Sequence, residues 1–250
     1  MPERERLSGA RVVVVKIGTS VLTGGADRLD PAYLHDAAAQ IATLCAEGRR
    51  VVLVSSGAVG AGMGVLGLDS RPTDLGQLQG AAAAGQPELI RLWSVAFAVR
   101  GVRVAQVLVG RADFDARDRF LNIRNCLSAL LERGVVPIVN ENDAVATEEI
   151  ALGDNDVLAS KVAHAAHASA LVILTSADGV QNEAGKVVER VESADELVPF
   201  VRSDATAQGR GGMSTKIEAA KAATRAGVVT VVGPGRPAER LAAVMRGERV

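Results

Sequence analysis

Six short runs of β-branched and aliphatic residues punctuate the chain: RVVVVKI at 11–17, RVVLVSS at 50–56, VRVAQVLV at 102–109, VVPIVN at 135–140, ALVILT at 170–175 and GVVTVVG at 227–233. They are nearly continuous in apolar residues, which is the pattern of strands buried on both faces. Between them lie Ala-rich segments with helical spacing, at about 31–47, 75–99, 119–133, 155–167, 213–226 and 237–246. Strands alternating with helices predict an α/β fold: a three-layer α/β/α sandwich around a mostly parallel central sheet. Asp30 followed by Pro31 reads as an N-cap and first helical residue. Gly48, Gly101, Gly134 and Gly227 stand where helices end before strands, the place for a left-handed C-cap.

A chain of 250 residues is long enough to bury one large α/β core. It shows no internal repeat and no Pro/Ser-rich linker, so 1–250 reads as one domain in two halves, about 1–168 and about 169–250. The stretch 193–212 is the least regular. The net charge is −1, aromatics are 2% and the pI is about 6.3, which argues against nucleic-acid partners. No run approaches the roughly 18 apolar residues of a membrane span, and the charged N-terminus MPERER does not read as a signal peptide. Cys45 and Cys126 both fall inside predicted helices, which fits a reducing, cytoplasmic setting better than a disulfide framework.

In open α/β sheets ligands bind beyond the carboxyl ends of the strands. Those ends here carry KIGTS, SSGAVGAG, NENDAV followed by GDND, and TSADG; GRGGMSTK introduces the helix at 213. GRGGMSTK is not a P-loop, because Ser214 and Thr215 precede Lys216 rather than follow it. Both SSGAVG and GRGGMS still offer backbone N–H groups at a helix start, where phosphate binds. Lysine occurs only at 16, 161, 186, 216 and 221, so Lys16 at a strand end and Lys216 at a helix start are informative. The set suggests phosphoryl transfer: two lysines to neutralise developing charge, with Asp143, Asp154 and Asp156 to hold Mg²⁺ or orient the lysines. No nucleophile–base pair stands out. GMGVLG at 62–67 matches a dinucleotide fingerprint but begins too far past its strand. His164 and His167, three apart on a predicted helix, lack further metal ligands.

Together VVVVKIGTSVLT, VLVSSGAVGAG, RFLNIRNCLSALLERGVVPIVNENDAV, GDNDVLAS and GGMSTKIEAAKAA resemble the amino acid kinase family over nearly the whole chain. The block from Arg119 to Ser160 resembles most closely the branch that phosphorylates free glutamate, rather than acetylglutamate kinases, aspartokinases, carbamate kinases or uridylate kinases. The resemblance implies transfer from ATP, with Mg²⁺, to the γ-carboxylate of L-glutamate, giving γ-glutamyl phosphate at the first step of proline synthesis. It also implies a homo-oligomer (dimer or tetramer) inhibited by proline. Lys16, Asp156 and Lys216 would be catalytic, with Asp156 orienting both lysines. Ser56, Asp143 and Asn155 would bind glutamate in the N-terminal half. Lys16, Thr175, Ser176, Arg210, Gly211, Gly212, Met213, Ser214, Thr215 and Lys216 would line the nucleotide site in the C-terminal half.

The alternatives are a family member acting on another acid, as acetylglutamate kinases and aspartokinases do, and a catalytically silent glutamate or proline sensor. The intact Lys16, Asp156 and Lys216 speak against the sensor. Thr175-Ser176 stands where the family commonly has Thr-Asp, Arg210 where it has threonine, and GVQN at 179–182 lacks the usual aromatic. Nucleotide binding is therefore expected to depart from the family norm at Arg210, if anywhere. The C-terminal PUA module that many members carry is not expected here.

Overall fold

The computed structural model describes residues 3–26, 28–145, 155–200 and 212–248. In chain order its elements are α1 (Glu3–Ser8), β1 (Val12–Ile17), α2 (Thr19–Thr23), α3 (Pro31–Ala46), β2 (Arg50–Ser55), α4 (Ala58–Leu66), α5 (Leu75–Ala98), β3 (Arg103–Val109), α6 (Arg117–Glu132), β4 (Val135–Glu141), α7 (Asn155–Ala165), β5 (Ala170–Thr175), α8 (Met213–Arg225), β6 (Val229–Pro234) and α9 (Arg240–Met245). All six predicted strands form, within two residues of their predicted bounds. They make one sheet in the order β3-β4-β2-β1-β5-β6, and every pairing is parallel. From β1 the chain next pairs toward β2; from β5 it next pairs toward β6. The topological switch point therefore lies between the adjacent strands β1 and β5.

Period-two alternation sorts the strand side chains into two helical layers. Val13, Val15, Ile17, Val51, Leu53, Val136 and Ile138 pack with Leu34, Ile41, Leu89 and Trp93 of α3 and α5. Val12, Val14, Val52, Val54 and Val139 pack with Leu127, Leu158, Val162 and Ala219 of α6, α7 and α8. Burial on both faces holds for the interior strands but fails for β3, where Arg103, Gln106 and Leu108 are exposed. β3 is an edge strand with only β4 beside it, so one flank has no cover.

The ends of the elements follow their capping residues. Asp30 Oδ1 accepts from the Ala32 and Tyr33 backbone N–H groups and starts α3 at Pro31. Gly48, Gly101, Gly134 and Gly227 all have positive φ, from 65° to 86°. His167, expected on a helix with His164, lies past the end of α7 at φ 49°. One further correction comes from packing. The predicted helical segments leave out 58–66, although SSGAVG is read as a helix start; glycines at 60, 62 and 64 lower helix propensity, yet α4 forms there and GMGVL is its second half. The glycines are there for close approach. A Cβ on Gly62 would sit 1.7 Å from the Ala81 carbonyl oxygen, and one on Gly85 would sit 1.9 Å from that of Ala58. The α4–α5 pair is thus a backbone-to-backbone contact that no side chain can enter.

Gly62→Ala and Gly85→Ala are each expected to destabilise the fold by about 3 kcal/mol or more, since a Cβ there must drive the two helices apart. Denaturant unfolding with a wild-type midpoint in either variant would overturn the contact.

Candidate active site

The alternation that builds the core also aims the charged groups. Lys16 shares its face of β1 with Val12 and Val14, so it points toward the layer of α7 and α8 rather than toward α3. There Lys16 Nζ lies 2.6 Å from Asp156 Oδ1, and Lys216 Nζ lies 3.0 Å from Asp156 Oδ2. Asp156 is in the first turn of α7 and Lys216 in the first turn of α8. The Thr215 hydroxyl donates to the Gly212 carbonyl at 3.0 Å and lies 3.4 Å from Asp156 Oδ2. Three distant segments of the chain therefore meet on one carboxylate beside the switch point.

All three charged groups are buried: Asp156 is 0% exposed, Lys16 5% and Lys216 6%. Burial alone pushes the Asp156 carboxyl up, but the charges and hydrogen bonds of Lys16 and Lys216 outweigh it and hold the group below its ordinary value of 3.8. The carboxylate is thus committed to the two ammonium groups, which favours the lysine-orienting role over metal binding. Two ammonium groups held together in a poorly solvated site suit an anionic ligand.

On the other side of β1, Ser56 follows β2 and precedes α4, whose N-terminal N–H groups face the same end of the sheet. Asn155, next to Asp156, donates from Nδ2 to Ser56 Oγ at 2.8 Å and to Asn140 Oδ1 at 3.0 Å. Asn140 Nδ2 in turn donates to Gln86 Oε1 at 2.8 Å. Trp93 Nε1 donates to Ser55 Oγ at 2.9 Å, and Ser55 Oγ donates to the Ser56 carbonyl at 3.0 Å. Ser55, Asn140 and Gln86 escaped the sequence reading as site residues. Asn140 lay within a quoted motif, but Gln86 and Trp93 sit mid-helix and gave no local signal. Asp143 opens a 3₁₀ turn, Asp143–Val145, and with Gln86, Gln106, Leu108 and Glu141 lines a cavity of about 230 Å³. Burial pushes the Asp143 carboxyl up to about 6, although the nearby Arg71 charge opposes the shift.

On the β5 side, Thr175 is buried at the strand end and Ser176 is exposed, its hydroxyl 3.3 Å from that of Ser20. Gly212 is the N-cap of α8; Met213, Ser214 and Thr215 form its first turn, with Ser214 exposed. Met213 packs beside a small cluster of Val180, Leu197 and Ile217. Arg210, Gly211 and Asp154 lie outside the described residues. Among the described residues no group of three or more His, Cys, Asp or Glu side chains could hold a metal ion. No described helix is long and apolar enough to cross a membrane.

A parallel sheet whose ligand end holds two buried lysines on one carboxylate, one from the end of β1 and one from the start of α8, fits a kinase that handles phosphoryl groups. Residues 11–232 match the amino acid kinase family, and the chain belongs to that family. Among its relatives are the glutamate 5-kinase of Salmonella arizonae, 42% identical over 251 residues that cover 98% of this chain and 68% of that protein. The glutamate 5-kinases of Shigella flexneri and Escherichia coli O1:K1 / APEC are each 42% identical over 248 residues, covering 96% of this chain and 68% of theirs.

Asp156 also couples the site to stability. A carboxyl whose folded value is depressed contributes stability that is fully present above its unfolded value and is lost as the pH falls through the folded one. Asp156→Asn leaves two buried ammonium groups without their counter-charge and is expected to cost about 3–5 kcal/mol at neutral pH. The gap between wild type and Asp156→Asn is expected to narrow as the pH drops from about 5 to about 3. Urea midpoints across that range check this, and a constant gap would sink the assignment.

Proposed function

We propose that this protein transfers the γ-phosphoryl group of ATP to the γ-carboxylate of L-glutamate, forming γ-glutamyl phosphate for proline synthesis in the cytoplasm. The observation that carries the reading is the Lys16–Asp156–Lys216 bridge at the ligand end of the sheet. The shared name of the relatives selects the substrate. A homo-oligomer and feedback inhibition by proline belong to the same proposal.

A glutamate carboxylate is ionised at neutral pH, so the acceptor needs no general base. The requirements are alignment of acceptor and donor, and cancellation of charge on the transferring group. Lys16 at the end of β1 and Lys216 at the start of α8 would approach the phosphoryl oxygens from two sides. Asp156 fixes both ammonium groups before substrate arrives, so little reorganisation remains for the transition state. The first turn of α8 would receive nucleotide phosphates on its N–H groups, with Thr175 and Ser176 near the nucleotide. Mg²⁺ would neutralise phosphate charge on the bound nucleotide. On the acceptor side, Ser56 and the α4 N-terminus would take a carboxylate, Asn155 would hold Ser56, and Asp143 would pair with the ammonium group.

An assay that traps acyl phosphate with hydroxylamine tests the reading, with L-glutamate and Mg-ATP as substrates. Lys216→Ala and Asp156→Ala are each expected to lower kcat by about 100-fold or more. Preference for N-acetylglutamate or aspartate, or binding of glutamate without turnover, would overturn it. The raised Asp143 carboxyl adds a pH signature. Its ionised form pairs with the ammonium, so nucleotide-free glutamate affinity measured by calorimetry is expected to fall about tenfold per pH unit below about 6. Asp143→Asn should bind weakly without that limb, and a variant that keeps it would exclude Asp143 as the partner.

A further inference from the structure

Ser56 is held from behind by α5 along two routes, and the chemistry of each route has one direction only. A backbone N–H can only donate, so the Asn140 atom 2.9 Å from the Glu141 nitrogen must be Oδ1. The other end of that amide, Nδ2, must then donate, and it reaches Gln86 Oε1 at 2.8 Å. Asn140 Oδ1 also receives Asn155, so the Asn155 atom at 3.0 Å must be Nδ2. The same Nδ2 faces the Ser55 carbonyl at 3.5 Å, which can only accept. It donates to Ser56 Oγ at 2.8 Å. The Ser56 oxygen is therefore used as an acceptor, and its own proton is left for an acceptor outside the relay. The second route ends on the same residue: Trp93 donates to Ser55, and Ser55 donates to the Ser56 carbonyl.

Strand parity explains why α5 supplies both anchors. Ser55 shares its face of β2 with Val51 and Leu53, and Asn140 its face of β4 with Val136 and Ile138; both faces pack on the α3 and α5 layer. Gln86 and Trp93 are seven residues apart on α5, two turns along one stripe. Gln86 is 9% exposed, Asn140 1% and Asn155 6%, so water competes little for these bonds. Buried amide chains of this kind lose more than one bond when a member is removed, because the next amide can rotate.

We infer that Gln86 is a positioning residue which, through Asn140 and Asn155, sets Ser56 as a hydrogen-bond donor to a carboxylate of the substrate. The inference rests on the glutamate kinase reading for the identity of that carboxylate. Gln86 itself need touch nothing that reacts. Its acceptor oxygen fixes the Asn140 amide, and the fixed amides keep the Ser56 proton from turning back into the protein.

The test is a double-mutant cycle with Gln86→Met and Ser56→Ala, read as KM for glutamate and KM for ATP. Gln86→Met keeps the side-chain length and removes the acceptor. It is expected to raise the glutamate KM about five- to tenfold, the scale of one buried hydrogen bond, with the ATP KM unchanged within about twofold. In the Ser56→Ala background the same change is expected to add less than about twofold, since its route of action is gone. Effects that multiply in full would mean that Gln86 acts independently of Ser56, and would overturn the relay; so would an unchanged glutamate KM. Gln86→Glu retains an acceptor and is expected to keep the glutamate KM within about threefold, whether or not the Met variant folds; a tenfold rise would count against the relay. Wild-type turnover of glutamate, measured first, judges the substrate separately. If another amino acid proves to be the substrate, the cycle is run with that acid and the relay is judged by it alone.

Discussion

The site depends on one buried carboxylate. Asp156 has no exposed surface, and an ionised group so placed is tolerable only with strong partners. Lys16 and Lys216 supply them from positions 200 residues apart in the chain. Each lysine is buried too, so the three groups require one another. The bridge draws the end of β1 and the starts of α7 and α8 to one point. It holds both ammonium groups in place before any ligand arrives. Stability and anion binding are served by the same contacts, as is typical where preorganised charge does the chemistry.

Around that point, strand parity divides the work. One residue out of step would turn Lys16 toward α3 and lose Asp156. Instead Lys16 faces the α7–α8 layer, while Ser55 and Asn140 face α5. The phosphoryl side is thus built from one helical layer. The far side of Ser56 is steadied from the other. Asn155 and Asp156 are consecutive residues, so the amide that holds Ser56 and the carboxylate that holds the lysines share a single helical turn. The α4–α5 contact belongs to the same scheme, since glycines at 62 and 85 let α5 lie close behind the turn that carries Ser56.

Much of this was legible in the residues. All six strands, the helix exits at glycine and the Asp30–Pro31 helix start follow from local rules, and those rules operate within a few residues. The strand-end motifs placed Lys16, Ser56, Asn155, Asp156 and Lys216 near one another, because a parallel sheet gathers its carboxyl ends on one side. The reading failed where a residue's role depends on a distant partner. Helix α4 is absent from the predicted segments beyond its start at SSGAVG, and its glycines disfavour a helix until α5 is laid against them. β3 was expected to be buried on both faces because nothing in RVAQVLV tells an edge strand from an interior one. GRGGMSTK resolves in part: its last four residues open α8 as anticipated, and Arg210 lies outside the described residues.

The sequence by itself determined which segments are strands and helices, which strand ends carry hydroxyl, amide and charged groups, and the family the chain belongs to. These are properties of short stretches and of their order. Only the tertiary structure decided that a single carboxylate takes both lysines, that burial pushes the Asp143 carboxyl up to about 6 against the opposing charge of Arg71, and that Gln86 and Trp93 stand behind Ser56. Hydrogen-bond direction and desolvation are relations between groups that meet only when the sheet is assembled, and neither Gln86 nor Trp93 differs in its local sequence from an ordinary residue of a long helix.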